Sequence, residues 1–147
     1  MNAFIDTNVL LDVLARRAPF YDDSAAIWAL AEAGKIRGFI SALSFSNVYY
    51  VVRRLRDRRT ADRAMLLLRD TFTAVACDEQ LLSQAIDAGM KDFEDAIQYH
   101  SAVRADAACL ITRNPDHFPR SGLAVVTPAE FLAAHRFAEE PRSGASH

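Results

Sequence analysis

Phe4-Ile5-Asp6-Thr7-Asn8-Val9-Leu10-Leu11-Asp12 reads as a buried strand that ends in an acid and turns at once into a helix. Ala3, Phe4 and Ile5 leave no polar face, as in a strand covered on both sides. From Val9 the apolar spacing changes, and Val9, Leu10, Val13 and Leu14 mark one face of a helix over 8–16. The turn between them leaves a carboxylate at the carboxyl end of a buried strand, where open α/β sheets hold their ligands. Two further acidic stretches, Asp92-Phe93-Glu94-Asp95 and Asn114-Pro115-Asp116, are expected to return to the same edge.

Working outward, strands and helices alternate. The first helix ends before Pro19, and Asp22, Asp23 or Ser24 caps a second that runs to about Ala33, with Gly34 as its stop. Residues 36–41 read as a second strand. Ser44 is expected to start a third helix, carrying Phe45, Val48, Val52 and Leu55, which the Arg-rich segment 53–59 ends. Thr60 is expected to cap a fourth helix through Arg69, residues 71–76 to form a third strand, and Asp78 to cap a fifth helix that Gly89 ends. Asp92 caps a sixth helix, Phe93 to about Arg104. Residues 108–112 and 123–126 are the remaining strands, and Thr127-Pro128-Ala129-Glu130 opens the last helix with a cap, a proline and a Glu in their favoured places. The fold class is α/β, a parallel sheet of about five strands with helices on both faces. Residues 1–137 read as one domain and 138–147, polar with Pro, Gly and Ser, as a disordered tail.

The composition is that of an ordinary globular domain: 147 residues, 51% hydrophobic and 24% charged. No apolar run reaches the roughly 18–20 residues of a membrane span, and the N-terminus lacks the pattern of a signal peptide. Cys77 and Cys109, in apolar contexts without metal-type spacing, read as buried thiols of a cytoplasmic protein. The net charge of −2 excludes general electrostatic binding of nucleic acid, but 15 of the 17 basic residues are Arg and five fall in Arg53-Arg54-Leu55-Arg56-Asp57-Arg58-Arg59. Such a patch can hold phosphates or be a solvated helix end.

Asp6, Asp92, Asp95 and Asp116 are the acids to weigh. Two stand just beyond strand ends and two at a helix start, positions that cluster along one edge of a parallel sheet. Carboxylates gathered in one crevice repel each other unless protons or a cation neutralise them. Oxygen donors without Cys or His suit Mg2+ or Mn2+, and such an ion can lower the pKa of a bound water and stabilise charge on a phosphate. Thr7, Asn8, Thr112 and Asn114 add short polar groups that can orient carboxylates. Plainer readings exist: Asp92 as a helix cap, Asp95 as a partner of the helix dipole, Asp116 as a turn former. Asp6 resists one, because an acid closing a buried strand needs a partner or a ligand. Glu94 is expected to point away from Asp95 on the helix. His100 reads as a surface or packed residue, and His117 falls near the acidic edge. There is no Gly-rich phosphate loop, nucleophile elbow or Cys–His pair.

In that order and spacing, residues 4–12, Lys91-Asp92-Phe93-Glu94-Asp95-Ala96 and Ile111-Thr112-Arg113-Asn114-Pro115-Asp116-His117-Phe118 resemble the PIN domain family. The nearest likeness is to the bacterial branch that includes VapC-type toxins of toxin–antitoxin pairs, and it covers residue 2 to about 135. The resemblance implies a Rossmann-like fold and an endoribonuclease that cleaves RNA with a water activated by Mg2+ or Mn2+. Asp6 matches the first metal-binding acid, Asp95 the central one with Asp92 assisting, and Asp116 the last, supported by Thr112 and Asn114. The third helix departs from the family pattern, since Asn47 stands where a Glu is expected. An amide oxygen can coordinate a metal but brings no charge. The likeness also implies a homodimer and a small antitoxin partner that masks the site, with Arg53, Arg54, Arg56, Arg58 and Arg59 as candidates for RNA backbone contact. Two rivals stay open. One is a PIN-fold RNA-binding or scaffold protein without catalysis, which Asn47 would explain. The other is a haloacid dehalogenase-type phosphatase with Asp6 as nucleophile, which needs a second acid where Asn8 stands.

Overall fold

In the computed structural model, which describes residues 1–120 and 122–135, five strands form one sheet. They are β1 (Asn2–Ile5), β2 (Arg37–Ser41), β3 (Thr73–Val75), β4 (Cys109–Ile111) and β5 (Ala124–Val126), all parallel and in the order β3-β2-β1-β4-β5. The chain builds outward from β1 to β3, then crosses back to place β4 on the other side of β1. The order therefore reverses between β1 and β4, where Ile5 is in register with Ile111. In open α/β sheets that switch point is where a crevice opens beyond the strand ends.

Seven α-helices among the described residues accompany the strands: α1 (Thr7–Leu14), α2 (Tyr21–Glu32), α3 (Ala42–Leu55), α4 (Arg58–Thr71), α5 (Glu79–Asp87), α6 (Phe93–Arg104) and, after β5, α7 (Pro128–Ala134). Successive side chains of a strand face opposite ways, and here both faces are covered. Ala3, Ile5, Ile40, Cys109 and Ile111 join α1–α4 and α7 in one core. Phe4, Phe39, Val75 and Leu110 face Ala102 of α6 and the apolar loop residues Phe118 and Leu123. A third cluster, Leu81, Ala85, Ala96 and Ile97, seals α5 to α6. The two edge strands have three residues each and are partly exposed, which limits edge-to-edge pairing.

Several helix starts differ from the expectation. α3 begins at Ala42 because Ser41, not Ser44, caps it by accepting the Leu43 amide at 3.2 Å. Ser44 is instead fully buried. Asp57, not Thr60, caps α4, its Oδ1 accepting the Thr60 amide at 2.7 Å, so 53–59 is the junction of two helices and not one helix end. α2 starts at Tyr21 without a side-chain cap, and β3 is shorter than 71–76. Asp78, Asp92 and the Thr127–Glu130 capping box act where expected, and Gly34, at φ 72°, ends α2 in a conformation that glycine adopts without strain. Cys109 is buried, Cys77 half-buried, and both are free thiols. The segment expected to be a disordered tail, 138–147, lies outside the described residues. No helix among those described is long and apolar enough to cross a membrane.

One glycine is fixed by packing. A Cβ on Gly38 would lie 2.6 Å from Phe72 Cδ1, and the Phe72 ring is held edge-on to Trp28 with centroids 4.9 Å apart. Gly38→Ala is expected to displace that ring at a cost of about 1–3 kcal/mol. Urea unfolding should show a lower midpoint with an unchanged m-value; an unchanged midpoint would show that the ring can shift freely.

Candidate functional site

Asp6 leaves β1 at the switch point. Its amide donates to Ile111 O at 2.9 Å, extending the ladder one residue past the strand. Asp6 is 6% exposed, and its Oδ2 accepts the Thr112 hydroxyl at 2.8 Å. The Thr112 oxygen in turn accepts the Asn114 amide at 3.1 Å. The hydroxyl rotor of Thr112 is thus fixed from both sides, and the end of β4 grips the end of β1.

Beneath Asp6 lies a buried polar chain. Thr7 Oγ1 is 2.8 Å from Ser44 Oγ and accepts from Gln98 Nε2 at 3.3 Å. All three residues are at most 5% exposed, so this chain ties the starts of α1 and α3 to the second turn of α6. Above it a cleft of about 660 Å³ is lined by Asp6, Asn8, Asn47, Tyr50, Asp92, Glu94, Asp95 and His117, among others. Asp92 caps α6 by accepting the Asp95 amide at 2.9 Å. Asp95 Oδ2 stands 3.5 Å from His117 Nδ1. Asn47 Nδ2 donates to Glu94 Oε1 at 3.2 Å across the cleft.

Of the residues singled out from sequence, the structure brings Asp6, Thr7, Asn8, Asn47, Asp92 and Asp95 to one cleft, with Thr112 directly behind Asp6. It places Asp116 elsewhere. That side chain pairs with Arg120 and lines an adjoining hollow with Lys91 and Pro119, which shares Asp92, Asp95 and His117 as a common wall. In the 3₁₀ turn over Pro115–His117, successive side chains diverge by about 120°, and His117, not Asp116, faces the cleft. Asn114 is exposed and contributes its backbone amide. Glu94 corrects the expectation that it turns away: it lines the cleft. Side chains lean toward a helix N-terminus, so those of the first turn of α6 can reach past its end from more than one face. Of the acids and histidines that line the cleft, Glu94 and His117 are the two that the sequence did not assign to the site.

The arginines divide. Arg53 and Arg54, in the last turn of α3, follow the cleft-lining Ser46 and Asn47 by seven residues each and so continue the same helix face. Arg56 lines a separate hollow with Leu14 and Leu55, and Arg58 is 3.7 Å from Asp62. Arg59 is exposed on α4.

A family model described as PIN domain matches residues 2–116. The chain belongs to the PIN domain family. Solved structures superpose on most of it. A toxin–antitoxin complex from Klebsiella pneumoniae gives TM-score 0.64 at 24% identity, over 86% of this chain and 97% of that one. VapBC-1 from nontypeable Haemophilus influenzae gives 0.65 at 18%, over 88% and 99%. VapC20 of Mycobacterium tuberculosis, a Sarcin-Ricin loop cleaving toxin, gives 0.61 at 14%, over 74% and 86%. Nothing among curated proteins matches significantly.

This PIN domain braces its site from behind with a second buried acid. Asp12 of α1, fully buried, lies 3.0 Å from Arg113 Nε, close enough for an ion pair but without the alignment of a hydrogen bond. The Arg113 guanidinium also covers the Phe20 ring at 4.4 Å. The loop after β4 is therefore held against α1 and the entry to α2. Burial raises the Asp12 carboxyl pKa, and Arg113 and Arg17 oppose that rise.

Charge is concentrated in the cleft. Burial pushes the Asp6 carboxyl up to about 6; the Thr112 hydroxyl and Thr7 amide oppose this, and Asp95 and Glu94 add to it. Burial and then Asp92 raise Asp95, which His117 partly offsets. An acid that holds its proton more tightly when folded costs stability as pH rises from its unfolded value of 3.8 to about 6, and the full cost remains above that. Asp6→Asn is therefore expected to stabilise chelator-treated protein at about pH 7.5 by roughly 2–3 kcal/mol, with the gain shrinking as pH falls toward about 4. Urea titrations across that window test this; a gain independent of pH would mean Asp6 is not strained by ionisation.

Proposed function

We propose that this PIN domain is a metal-dependent endoribonuclease and the toxin of a toxin–antitoxin pair. One observation carries the reading: among the described residues, four carboxylates, Asp6, Asp92, Glu94 and Asp95, line the switch-point cleft, and no Lys or Arg does. A phosphodiester, itself anionic, can enter such a cleft only with a cation that offsets the charge. The neighbours in Klebsiella, Haemophilus and Mycobacterium support the toxin role. The antitoxin is then a small protein that covers the cleft, the working unit a homodimer, and the compartment the cytoplasm, where RNA is met.

The donor set fits Mg2+ or Mn2+. Its side chains offer hard oxygens, and Asn8 Oδ1 is buried without a partner among the described residues. Among the described residues no three His, Cys, Asp or Glu side chains are close enough to enclose a cation alone. One or two carboxylates with retained waters and a substrate phosphate is the usual way Mg2+ is held, and Asp6 and Asp95 are the residues to do it. When bound, the ion supplies an activated water and stabilises charge on the phosphate. Thr112 keeps the Asp6 carboxylate oriented, and the burial of Asp6 limits the access of bulk water to it. His117 holds a proton at Nδ1 toward Asp95 when charged. Asp116 remains a candidate for the adjoining hollow, where its Arg120 partner must release it.

Purified protein is expected to cut a mixed RNA panel with Mn2+ or Mg2+ and to stop with chelator. Asp6→Asn and Asp95→Asn should each lose about 100-fold or more, near 2.7 kcal/mol of transition-state stabilisation. Cutting that persists in both variants would reject the site. RNA bound but uncut by folded protein would favour the binding-protein reading that Asn47 suggests.

Arg53→Ala and Arg54→Ala are each expected to weaken RNA binding about evenly across sequences and to reduce the slope of log affinity against log salt by about 1. Arg56→Ala should leave that slope unchanged. Equal effects at all three positions would mean the whole patch, and not the cleft-side pair, meets the backbone.

A further inference from the structure

Asn47 removes one negative charge from α3, and Glu94 supplies one directly across the cleft from α6. The two side chains meet, with Asn47 Nδ2 donating to Glu94 Oε1 at 3.2 Å, and both line the cleft that holds Asp6 and Asp95. Favourable interaction with the α6 dipole accounts for an acid in that first turn. It does not account for a side chain directed across to another helix, where an exposed Glu would gain more from free rotation in water. The contact also fixes the Asn47 amide, whose nitrogen is committed to Glu94 and whose oxygen stays available as a neutral donor.

We infer that Glu94 is the fourth acid of this site, replacing from α6 the carboxylate that α3 lacks, with Asn47 as the residue that positions it. The inference rests on the metal-dependent reading of the cleft. It says that the site's charge is kept and its origin moved between helices, so the Asn at 47 is no sign of a lost activity. Asp92, occupied as the cap of α6, is not needed for that place.

The test is Mn2+ binding by titration calorimetry, with RNA cleavage as a second readout and thermal melting to confirm that each variant folds. Glu94→Gln is expected to weaken Mn2+ binding by about 10–100-fold. The double variant Glu94→Gln/Asn47→Glu, which returns the carboxylate to α3, is expected to recover most of that loss and to regain cleavage. Asp6→Asn serves as the reference for loss of the metal. Mn2+ binding unchanged in Glu94→Gln but lost in Asp6→Asn would overturn the role of Glu94 and leave the proposed nuclease standing. Weakened binding that Asn47→Glu fails to rescue would overturn the exchange between helices. Wild-type protein that binds no Mn2+ would remove the metal-dependent function and this inference together.

Discussion

The hydrogen bond from the Thr112 hydroxyl to Asp6 Oδ2 joins the ends of the two central strands, and the site is arranged around it. Asp6 is buried, and a buried carboxylate is costly to leave without a partner. Thr112 meets part of that cost with one donor, and the start of α1 meets more. Because β1 and β4 are adjacent only through the crossover, this bond depends on the strand order, and the strand order depends on apolar residues that suit both faces of the sheet. The polar chain Thr7–Ser44–Gln98 then sets how far α6 stands from α1 and α3. The width of the cleft is fixed by buried groups that do not themselves line its chemistry, apart from Thr7.

Electrostatics in the cleft work against the fold. Asp6 and Asp95 are both pushed toward their protonated forms, first by burial and then by neighbouring carboxylates, Asp95 and Glu94 for Asp6 and Asp92 and Glu94 for Asp95. Such mutual disfavour is the expected state of groups arranged for a ligand of opposite charge, and it is common at functional sites. Elsewhere the protein pairs its buried charge: Asp12 has Arg113. The contrast between an acid with an arginine and acids with none separates the brace from the cleft.

Much of the architecture was legible because its signals are local. The change from a buried strand to helical spacing at Asp6, the caps at Asp78 and Asp92, and the Thr127–Glu130 box each need only a few adjacent residues. Ser41 and Asp57 were missed as caps because Ser44 and Thr60, equally suited by type, stand three residues later. In the site, Asp6, Asp92 and Asp95 were readable from position, but the partner of Asp6 lies 106 residues away. Glu94 was misjudged because helix periodicity describes the sides of a helix and not its end, where several faces look forward. His117 and Asp116 could not be told apart from sequence, since the choice depends on how one tight turn is rotated against Asp95.

Asp92 has two duties that an alanine cannot separate. Its Oδ1 holds the first turn of α6 by accepting the Asp95 amide, and its side chain borders both the cleft and the adjoining hollow. Replacing it with alanine frays the turn that carries Glu94 and Asp95, so two other acids lose their aim at the same time. A scan of single alanines would therefore rank Asp92 among the residues of greatest effect whether or not it ever touches a substrate. Serine or asparagine at that position keeps a cap and removes only the charge, and they are the informative replacements there.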